Sequence, residues 1–387
     1  MDDSKRAFLR AAGLLVAEEV LSRSAFARNS GRGNRPKNKV ILAVIGGVRR
    51  QETFSLQGFQ HIPHLAQELG PESLFYSDVR NEGVTAHFNA ISSILTGTWQ
   101  RVGDWGENSP TAPTMFEYFR KQLHLPPSEA WIVASNKALT DLIGSSSAHG
   151  YGPAFGANVV LPKQLMINAV VSAIWSRKNR GFGDPQKIQA QMEKMLQGIN
   201  YEGLGWNVFN AAKRLDPHVR ATIVKAVASL VNGSGPMTGD RLTFFMAREI
   251  MRKFAPPLMM VNFSDVEAAH FGSYSMHLMG LHNVDEICAE LWQEVKTNPE
   301  YAGKTTLIIL PEFGRDADGS STNGFFNHRA FDDSCRSTWL MVLGVHAGRP
   351  RIVRRQIRQI DVCPTVAGLL GFKVPESRGV VIEELKS

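Results

Sequence analysis

Residues 304–328 read KTTLIILPEFGRDADGSSTNGFFNH, and the predicted fold depends on this stretch more than on any other. Its uninterrupted run of apolar and β-branched side chains, residues 305–310, is typical of a strand that is buried on both faces of a sheet. Polar side chains, among them Glu312 and Arg315, follow directly. Open α/β sheets bind their ligands beyond the carboxyl ends of their strands. We therefore predict a central strand followed by a candidate site; the alternative is an ordinary exit loop with solvated charges.

Similar buried runs recur along the chain and alternate with segments of helical periodicity, which predicts an α/β fold. The first run, at residues 38–45, ends in Gly46 and Gly47, which let the backbone pass close to other groups. Further strands are predicted at residues 131–135, 258–262 and 337–343, with a weaker strand at 72–77 and an edge strand in the basic run 349–358.

Composition and charge are those of a globular protein, with 43% hydrophobic and 20% charged residues. Most of the net charge of +7 lies at the amino terminus. Residues 1–39 have nine basic and four acidic side chains, a net +5, which leaves +2 for the rest of the chain. A nearly neutral body gives no reason to expect nucleic acid as a partner.

Residues 1–27 resemble a twin-arginine export signal, with SKRAFLR at residues 4–10 and a small-x-small cleavage sequence at 25–27. Lys5 stands where the first arginine usually stands, and Glu18 and Glu19 interrupt the apolar region. The alternative is therefore an uncleaved amphipathic helix. We predict a periplasmic or secreted protein, and a cytoplasmic one if the leader is not a signal.

The rest of the chain divides into a linker and one large domain. Residues 28–38 are the linker, and residues 39–387 are an α/β domain with a helical insertion at about 145–240, where helical periodicity replaces strand patterns. Outside the leader, no stretch approaches the ~18 apolar residues needed to cross a bilayer. Stable membrane insertion is therefore not expected.

A polar loop at residues 81–86 leads into a helix that is predicted to begin near His87. The amino-terminal end of a helix directs backbone N–H groups and the positive end of its dipole at an anion. Thr85, His87 and Asn89 are therefore the candidate reactive side chains of this segment. The alternative is that Thr85 caps the helix and His87 is an ordinary surface residue.

Asp265, Glu267 and His270 follow the predicted strand at residues 258–262. This mixture of carboxylate oxygen and imidazole nitrogen suits a divalent cation such as zinc or manganese. Glu267 and His270 are three residues apart and could share one face of a helix, whereas Asp265 and His270 would need a loop. We predict a metal site in this segment.

The next helix, predicted from Tyr274 to about Lys296, carries His277, His282 and Asp285. Histidine and aspartate on an amphipathic helix commonly lie on its exposed face. We predict that these three side chains lie on the surface, and they are not assigned to the site.

Four features share their order with a known superfamily. The first strand ends in Gly-Gly-x-Arg, and a later helix ends in Leu-Thr-Gly97. An Asp/Glu-x-x-His-x-Gly loop ends at Gly272. The segment TLIILPEFGR, residues 306–315, then precedes Asn327-His328. Together they resemble the alkaline phosphatase and sulfatase superfamily. The tail QIDVCPTVAGLLG, residues 359–371, is similar to the near-terminal signature of that superfamily. The resemblance covers residues 38–387 apart from the insertion.

The resemblance implies a doubly wound, mostly parallel α/β sheet with two metal ions, usually zinc, at the carboxyl ends of the strands. In the superfamily a Ser, Thr or modified Cys attacks phosphorus or sulfur, while the metals activate the nucleophile and hold the non-bridging oxygens. Carried over by position, one set of ligands is retained: a carboxylate from Asp265 or Glu267, together with His270 and His328.

The second set of ligands departs from the family pattern. Gly46 stands in place of the first aspartate, Glu312-Phe313 stands in place of an aspartate–histidine pair, and His87 stands where the nucleophile is expected. Glycine and phenylalanine cannot coordinate a metal, so we expect one divalent ion, zinc, rather than two. Glu312 or His87 would complete the single-metal site, and Thr85 is the second choice as nucleophile.

One metal ion can lower the pKa of bound water from ~16 to about 7 and polarise an ester, so hydrolysis does not require a protein nucleophile. We therefore hypothesise an exported, metal-dependent hydrolase of a small anionic phosphate or sulfate ester. Arg49, Arg315 and Arg329 are the candidates for orienting the anion. The alternatives are a non-catalytic binding protein that keeps the fold and a purely structural module. The substrate and the oligomeric state stay open.

Overall fold

The computed structural model describes residues 35–103, 108–135, 144–162, 238–320, 324–329 and 332–385. The predicted export signal and most of the linker lie outside these residues, and so do residues 163–237 of the predicted insertion. Within the described part of the chain, no helix has both the length and the apolar character needed to cross a membrane.

Nine strands of the described residues form one sheet. In chain order they are β1 (Lys39–Val44), β2 (Leu74–Arg80), β3 (Ala130–Ala134), β4 (Asn158–Val160), β5 (Leu258–Asn262), β6 (Thr305–Leu310), β7 (Ser337–Gly344), β8 (Arg351–Val353) and β9 (Ile357–Arg358). Their spatial order is β4-β3-β5-β1-β6-β7-β2-β8, and β9 also pairs with β2. Neighbours pair in parallel except at β7, which is antiparallel to β6 and β2. The prediction of a mostly parallel α/β sheet is confirmed.

The helices of the described residues fall into longer and shorter elements. The α-helices are α1 (His87–Thr96), α2 (Met115–Gln122), α3 (Gly239–Phe254), α4 (Tyr274–Thr297), α5 (Asp333–Arg336) and α6 (Val362–Leu370). A π-helix spans His64–Leu69. Short 3₁₀ helices span Arg50–Glu52, Gly58–His61, Gly70–Glu72, Pro127–Glu129, Asp265–Phe271, Gly324–Phe326, Gln359–Asp361 and Glu383–Leu385. The segment around residue 60 is thus a 3₁₀ helix followed by a π-helix.

The central strands separate two apolar cores, which is why the run in β6 is apolar throughout. Ile308 and Leu310 lie in one core with side chains of α1, α2 and α6. Leu307 and Ile309 lie in the other core with side chains of α3 and α4. Alternate residues of a strand point to opposite faces, so a strand covered by helices on both faces needs apolar side chains at every position.

Several chain segments reach one edge of the sheet. Val44 of β1 lies beside Asn262 of β5 and Leu310 of β6, so these three parallel strands end together. β2 runs in the same direction and leads into α1, whereas the antiparallel β7 begins at this edge. Backbone hydrogen bonds join the loops here, from Asn81 N to Arg336 O at 2.9 Å and from Gly314 N to Cys335 O at 2.7 Å. Side chains far apart in sequence are therefore brought to one place.

Two of the three side chains that were predicted on the surface of α4 are buried. His277 and Asp285 are both 0% exposed, whereas His282 is exposed, so the prediction was wrong for two of the three. Asp285 accepts hydrogen bonds from the backbone N–H groups of His64, at 3.0 Å, and Leu65, at 2.7 Å. Burial raises the pKa of Asp285 from 3.8 to about 6. The sequence could not show this contact because a helix 220 residues away in the chain covers this face of α4.

Candidate metal centre

Four side chains meet at the carboxyl edge of the sheet. One potential ligand atom from each of His87, Glu267, His270 and His328 lies within 4.8 Å of the other three. His87 is the first residue of α1, Glu267 and His270 belong to the Asp265–Phe271 helix, and His328 precedes β7. Three are buried, and the side chain of His270 is 19% exposed, so the cluster opens to solvent at His270.

The ring of His87 is held by a second carboxylate. His87 Nδ1 donates to Glu312 Oε2 at 2.6 Å, and His87 Nε2 lies 3.3 Å from Glu267 Oε2. Glu312 in turn accepts a hydrogen bond from Asn262 Nδ2 at 2.9 Å. Metal-bound histidines commonly donate their other ring N–H to a carboxylate, which fixes the tautomer. This arrangement directs His87 Nε2 toward the cluster, and the alternative that His87 is a surface residue was wrong.

His328 is fixed by a backbone group. Its Nδ1 donates to the carbonyl oxygen of Thr85, so Nε2 carries the lone pair. That Nε2 lies 3.1 Å from Nε2 of His270. Burial, together with the nearby His87 and Arg315, holds the pKa of His328 well below its usual range. The ring is therefore neutral, which is the form that binds a metal.

Glu267 contributes the negative charge of the cluster. Its Oε1 accepts from the backbone N–H of Gly47 at 2.9 Å, and its Oε2 forms a fully buried ion pair with Arg315. Burial alone would raise the pKa of Glu267, but Arg315 and His87 hold it well below its ordinary value. Three imidazole nitrogens and one carboxylate oxygen match the donor set that zinc accepts. The residues present therefore fit a divalent cation.

The local helix type explains why Glu267, and not Asp265, joins the cluster. Residues three apart are eclipsed in a 3₁₀ helix, so Glu267 and His270 lie on one side of the Asp265–Phe271 helix. Asp265, five residues before His270, lies on another side, where its Oδ2 accepts from the backbone N–H of Asp240 at 3.1 Å. Of the two carboxylates left open by the sequence, the structure therefore brings only Glu267 to the histidines.

Asp240 fixes the start of the Asp265–Phe271 helix, and sequence reasoning missed it. It is 0% exposed and accepts hydrogen bonds from the backbone N–H groups of Ser264, at 2.8 Å, and Asp265, at 2.9 Å. Asp240 and Asp265 thus each accept from the other's backbone. The only local signal, an acidic residue in the first turn of α3, predicts a helix start but not this contact.

The remaining predicted site residues are placed differently from what was expected. Glu312 is not among the four converging residues but holds His87. Thr85 does not cap α1, whose N-cap is Ala86; its side chain is buried, and its carbonyl oxygen accepts from His328. Its role as a nucleophile stays a prediction.

The predicted arginines differ in accessibility. Arg315 is 0% exposed, and its Nε donates to Gly47 O at 2.7 Å while its Nη2 pairs with Glu267. This geometry does not suit the anion-orienting catalytic role predicted for Arg315, because its guanidinium already holds Glu267. Arg49 is likewise buried and paired with Glu52 and Asp318. Arg329, next to His328, is exposed.

Apolar groups and close packing occupy the positions where the resemblance would place a second set of ligands. A Cβ atom on Gly46, which has φ +75°, would lie 2.5 Å from Val266 Cγ2 and 3.0 Å from Glu267 Oε1. The ring of Phe313 packs against His328, with 4.4 Å between centroids, and against His87, with 5.1 Å. There is no room for an aspartate at Gly46 without a shift of the neighbouring helix.

No family model matches the sequence, and no curated protein matches it. Solved structures do match. A protein in the alkaline phosphatase superfamily from Vibrio parahaemolyticus has a TM-score of 0.52 at 13% identity, over 96% of this chain and 76% of the other. The chain has the alkaline phosphatase superfamily fold.

Two further structures support this assignment of fold. The lipoteichoic acid synthase LtaP from Listeria monocytogenes has a TM-score of 0.51 at 12% identity, over 96% of this chain and 82% of the other. The phosphonate monoester hydrolase of Agrobacterium radiobacter has a TM-score of 0.53 at 13% identity, over 90% and 77%. At such identities the likeness concerns the alkaline phosphatase-like fold alone, so activity must be argued from the site.

We expect this alkaline phosphatase-like chain to bind zinc through the four converging side chains. His270→Ala or His328→Ala should lower zinc affinity by at least ~100-fold, because each removes one of few nitrogen ligands. Isothermal titration of metal-free protein, together with metal analysis of the loaded protein, measures this. His282→Ala, on the exposed face of α4, is the matched control and should bind zinc normally. Equal affinities in all variants would show that zinc does not bind here.

A second expectation concerns Asp240, which contacts none of the proposed ligands directly. Asp240→Asn should lower zinc affinity by about 10- to 100-fold, because an amide NH₂ would face a backbone N–H where a carboxylate oxygen now accepts. Asp285→Asn changes an equally buried carboxylate that caps a different helix, and its zinc affinity should stay at the wild-type value. Similar effects of both substitutions would indicate general destabilisation instead.

Proposed function

We propose that this chain is an exported, metal-dependent hydrolase of a phosphate or sulfate ester, with a single zinc ion bound by His87, Glu267, His270 and His328. The observation that carries the proposal is the convergence of their ligand atoms within 4.8 Å at the carboxyl edge of the sheet. Ligands of open α/β sheets bind at this edge. The fold, shared with a phosphonate monoester hydrolase, is consistent with ester hydrolysis.

The orientation of each side chain supports a preformed centre. His87 is held by Glu312, His328 by the Thr85 carbonyl, and Glu267 by Arg315 and Gly47. A divalent cation bound there would polarise the ester and lower the pKa of a water molecule. Because little reorganisation is needed, the residues can hold their geometry while substrate enters past His270.

We propose one metal ion and not two because of the packing at Gly46 and Phe313, where the resemblance would place ligands of a second ion. Gly46 and Phe313 supply no ligand atom, and the space beside Gly46 is taken by Val266 and Glu267. A second cation there would lack protein ligands at both positions.

Arg329 is our proposed anion-orienting residue. Arg49 and Arg315 are buried, whereas Arg329 is exposed and directly follows His328. Its side chain can therefore reach solvent beside the centre, and arginine binds phosphate and sulfate oxygens through a planar pair of donors.

A non-catalytic binding protein is the second candidate. It is favoured by the ion pair of Glu267 with Arg315, which uses the same Oε2 atom that faces His87 and His270. It is also favoured by His87, which stands where the superfamily nucleophile is expected and has neither a hydroxyl nor a thiol group. Such a protein would bind the anion and release it unchanged.

A measurement of turnover distinguishes the hydrolase from the non-catalytic binding protein. The zinc-loaded protein should hydrolyse 4-nitrophenyl phosphate or 4-nitrophenyl sulfate, followed by release of 4-nitrophenol. His328→Ala should abolish turnover, and Arg329→Ala should raise KM by about tenfold through loss of a charged hydrogen bond to the anion. His282→Ala is the control with unchanged rates. Full zinc occupancy without turnover across a panel of esters would favour the binding protein.

Export is a separate part of the proposal and has its own test. The full chain, expressed in a bacterium with a twin-arginine system, should accumulate in the periplasm with an amino terminus that begins after Ala27. Lys5→Gln with Arg6→Gln should keep it in the cytoplasm. Uncleaved protein in the cytoplasm of the wild-type strain would contradict export.

A further inference from the structure

Exposed apolar side chains are concentrated next to the proposed centre. Nine large apolar side chains are exposed in the described part of the chain, and four of these lie within residues 271–279, directly after His270. They are Phe271 (51% exposed), Tyr274 (40%), Met276 (45%) and Met279 (63%). Apolar surface that is gathered in one place on a soluble domain commonly marks a binding site.

Two segments join to form an aromatic surface, which we call the aromatic shelf: Phe271, Tyr274, Phe325 and Phe326. The rings of Phe325 and Phe326 lie 4.2 Å apart, and those of Phe325 and Tyr274 lie 4.9 Å apart. Phe326 also packs over Gly272, where a Cβ atom would lie 3.3 Å from Phe326 Cε1. Gly272 has no side chain, which leaves space for this ring, and its φ of +73° is a backbone conformation that favours glycine.

The aromatic shelf begins at the proposed ligands themselves. Phe271 follows His270, and Phe326 stands two residues before His328. His270 is the partly exposed member of the cluster, and Phe271, the next residue in the chain, is 51% exposed. An ester held at the centre would have its alcohol part within reach of these rings.

We propose that the aromatic shelf binds the apolar alcohol part of the substrate, which is then a phosphate or sulfate monoester of an aryl or long-chain alkyl alcohol. This inference rests on the proposed function, because the centre must hold the anionic end. Aromatic side chains offer large, rigid apolar faces that gain free energy when an apolar group covers them. A short or strongly polar alcohol would leave the rings exposed to water.

Binding of phosphonates to the zinc-loaded full chain tests the proposal without requiring turnover. The probes are methyl-, butyl-, hexyl- and phenylphosphonate, measured by isothermal titration. The dissociation constant should fall by about two- to threefold for each methylene group from methyl to hexyl, since a shelf covers the chain on one side only. Phenylphosphonate should bind more tightly than butylphosphonate, because a flat ring can stack on the shelf.

Variants of the aromatic shelf test whether its rings cause the dependence of affinity on chain length. Phe271→Ser and Phe326→Ser should leave methylphosphonate affinity near the wild-type value and reduce the gain with chain length to less than half. Ile352→Ser is the matched control, because Ile352 is 64% exposed on β8, at the opposite end of the sheet order from β4 and away from the central strands. It should keep the full dependence on chain length.

The outcomes distinguish this inference from the proposed function. Binding of all four phosphonates with equal affinity would overturn the shelf and keep an anion site. Chain-length dependence that survives both Phe variants would also overturn it. No binding of any probe to zinc-loaded protein would overturn both.

Discussion

The buried ion pair between Glu267 and Arg315 connects the ends of the three central strands. Glu267 follows β5, Arg315 follows β6, and both bind the backbone of Gly47 after β1, through its N–H and its carbonyl oxygen. The side chains are 1% and 0% exposed, so neither charge can be solvated by water. Removing one partner of such a pair typically costs about 3–5 kcal/mol, because it leaves a charge buried alone. The ion pair and its hydrogen bonds to Gly47 therefore hold the loops after β1, β5 and β6 in fixed positions relative to one another.

This pair also sets the chemistry of the cluster above it. Glu267 stays ionised although it is buried, and His328 stays neutral next to the positive guanidinium. An anionic carboxylate surrounded by imidazole nitrogens is a donor set for a cation. Gly46 and Phe313, where the family resemblance would place further ligands, supply no ligand atom, and a Cβ atom on Gly46 would meet Val266 and Glu267. The Arg315 guanidinium pairs with the same Oε2 atom of Glu267 that faces His87 and His270, so this fixed positive charge lies against the candidate centre itself.

The candidate centre and the aromatic shelf are held together by different kinds of contact. Contacts between loops, such as His87 with Glu312 and Asp240 with Asp265, orient the groups that face the centre. The aromatic shelf is built differently: Phe325 contacts both Tyr274 and Phe326, and Phe271 and Tyr274 are exposed to solvent. Rigid polar contacts on one side and open apolar surface on the other are the combination expected where a small anionic group and an apolar group bind together.

The sequence by itself determined the fold class and the parts of the chain that reach the site. Uninterrupted apolar runs at β1, β5 and β6 require a sheet covered on both faces, and in such a sheet the residues after parallel strands meet at one edge. The residue types and the family resemblance also pointed to a carboxylate from Asp265 or Glu267, together with His270 and His328, as ligands and to His87 as a member of the site.

Only the tertiary structure decided the roles of individual side chains. The pairing of His87 with Glu312 spans 225 residues, and no local pattern encodes it. The choice of Glu267 over Asp265 depended on a 3₁₀ helix whose start is fixed by Asp240. Arg315 proved to be a buried partner of Glu267, and His277 and Asp285 proved to be buried. Burial and hydrogen bonding depend on which distant segments pack against a residue, and periodicity along the chain does not contain that information.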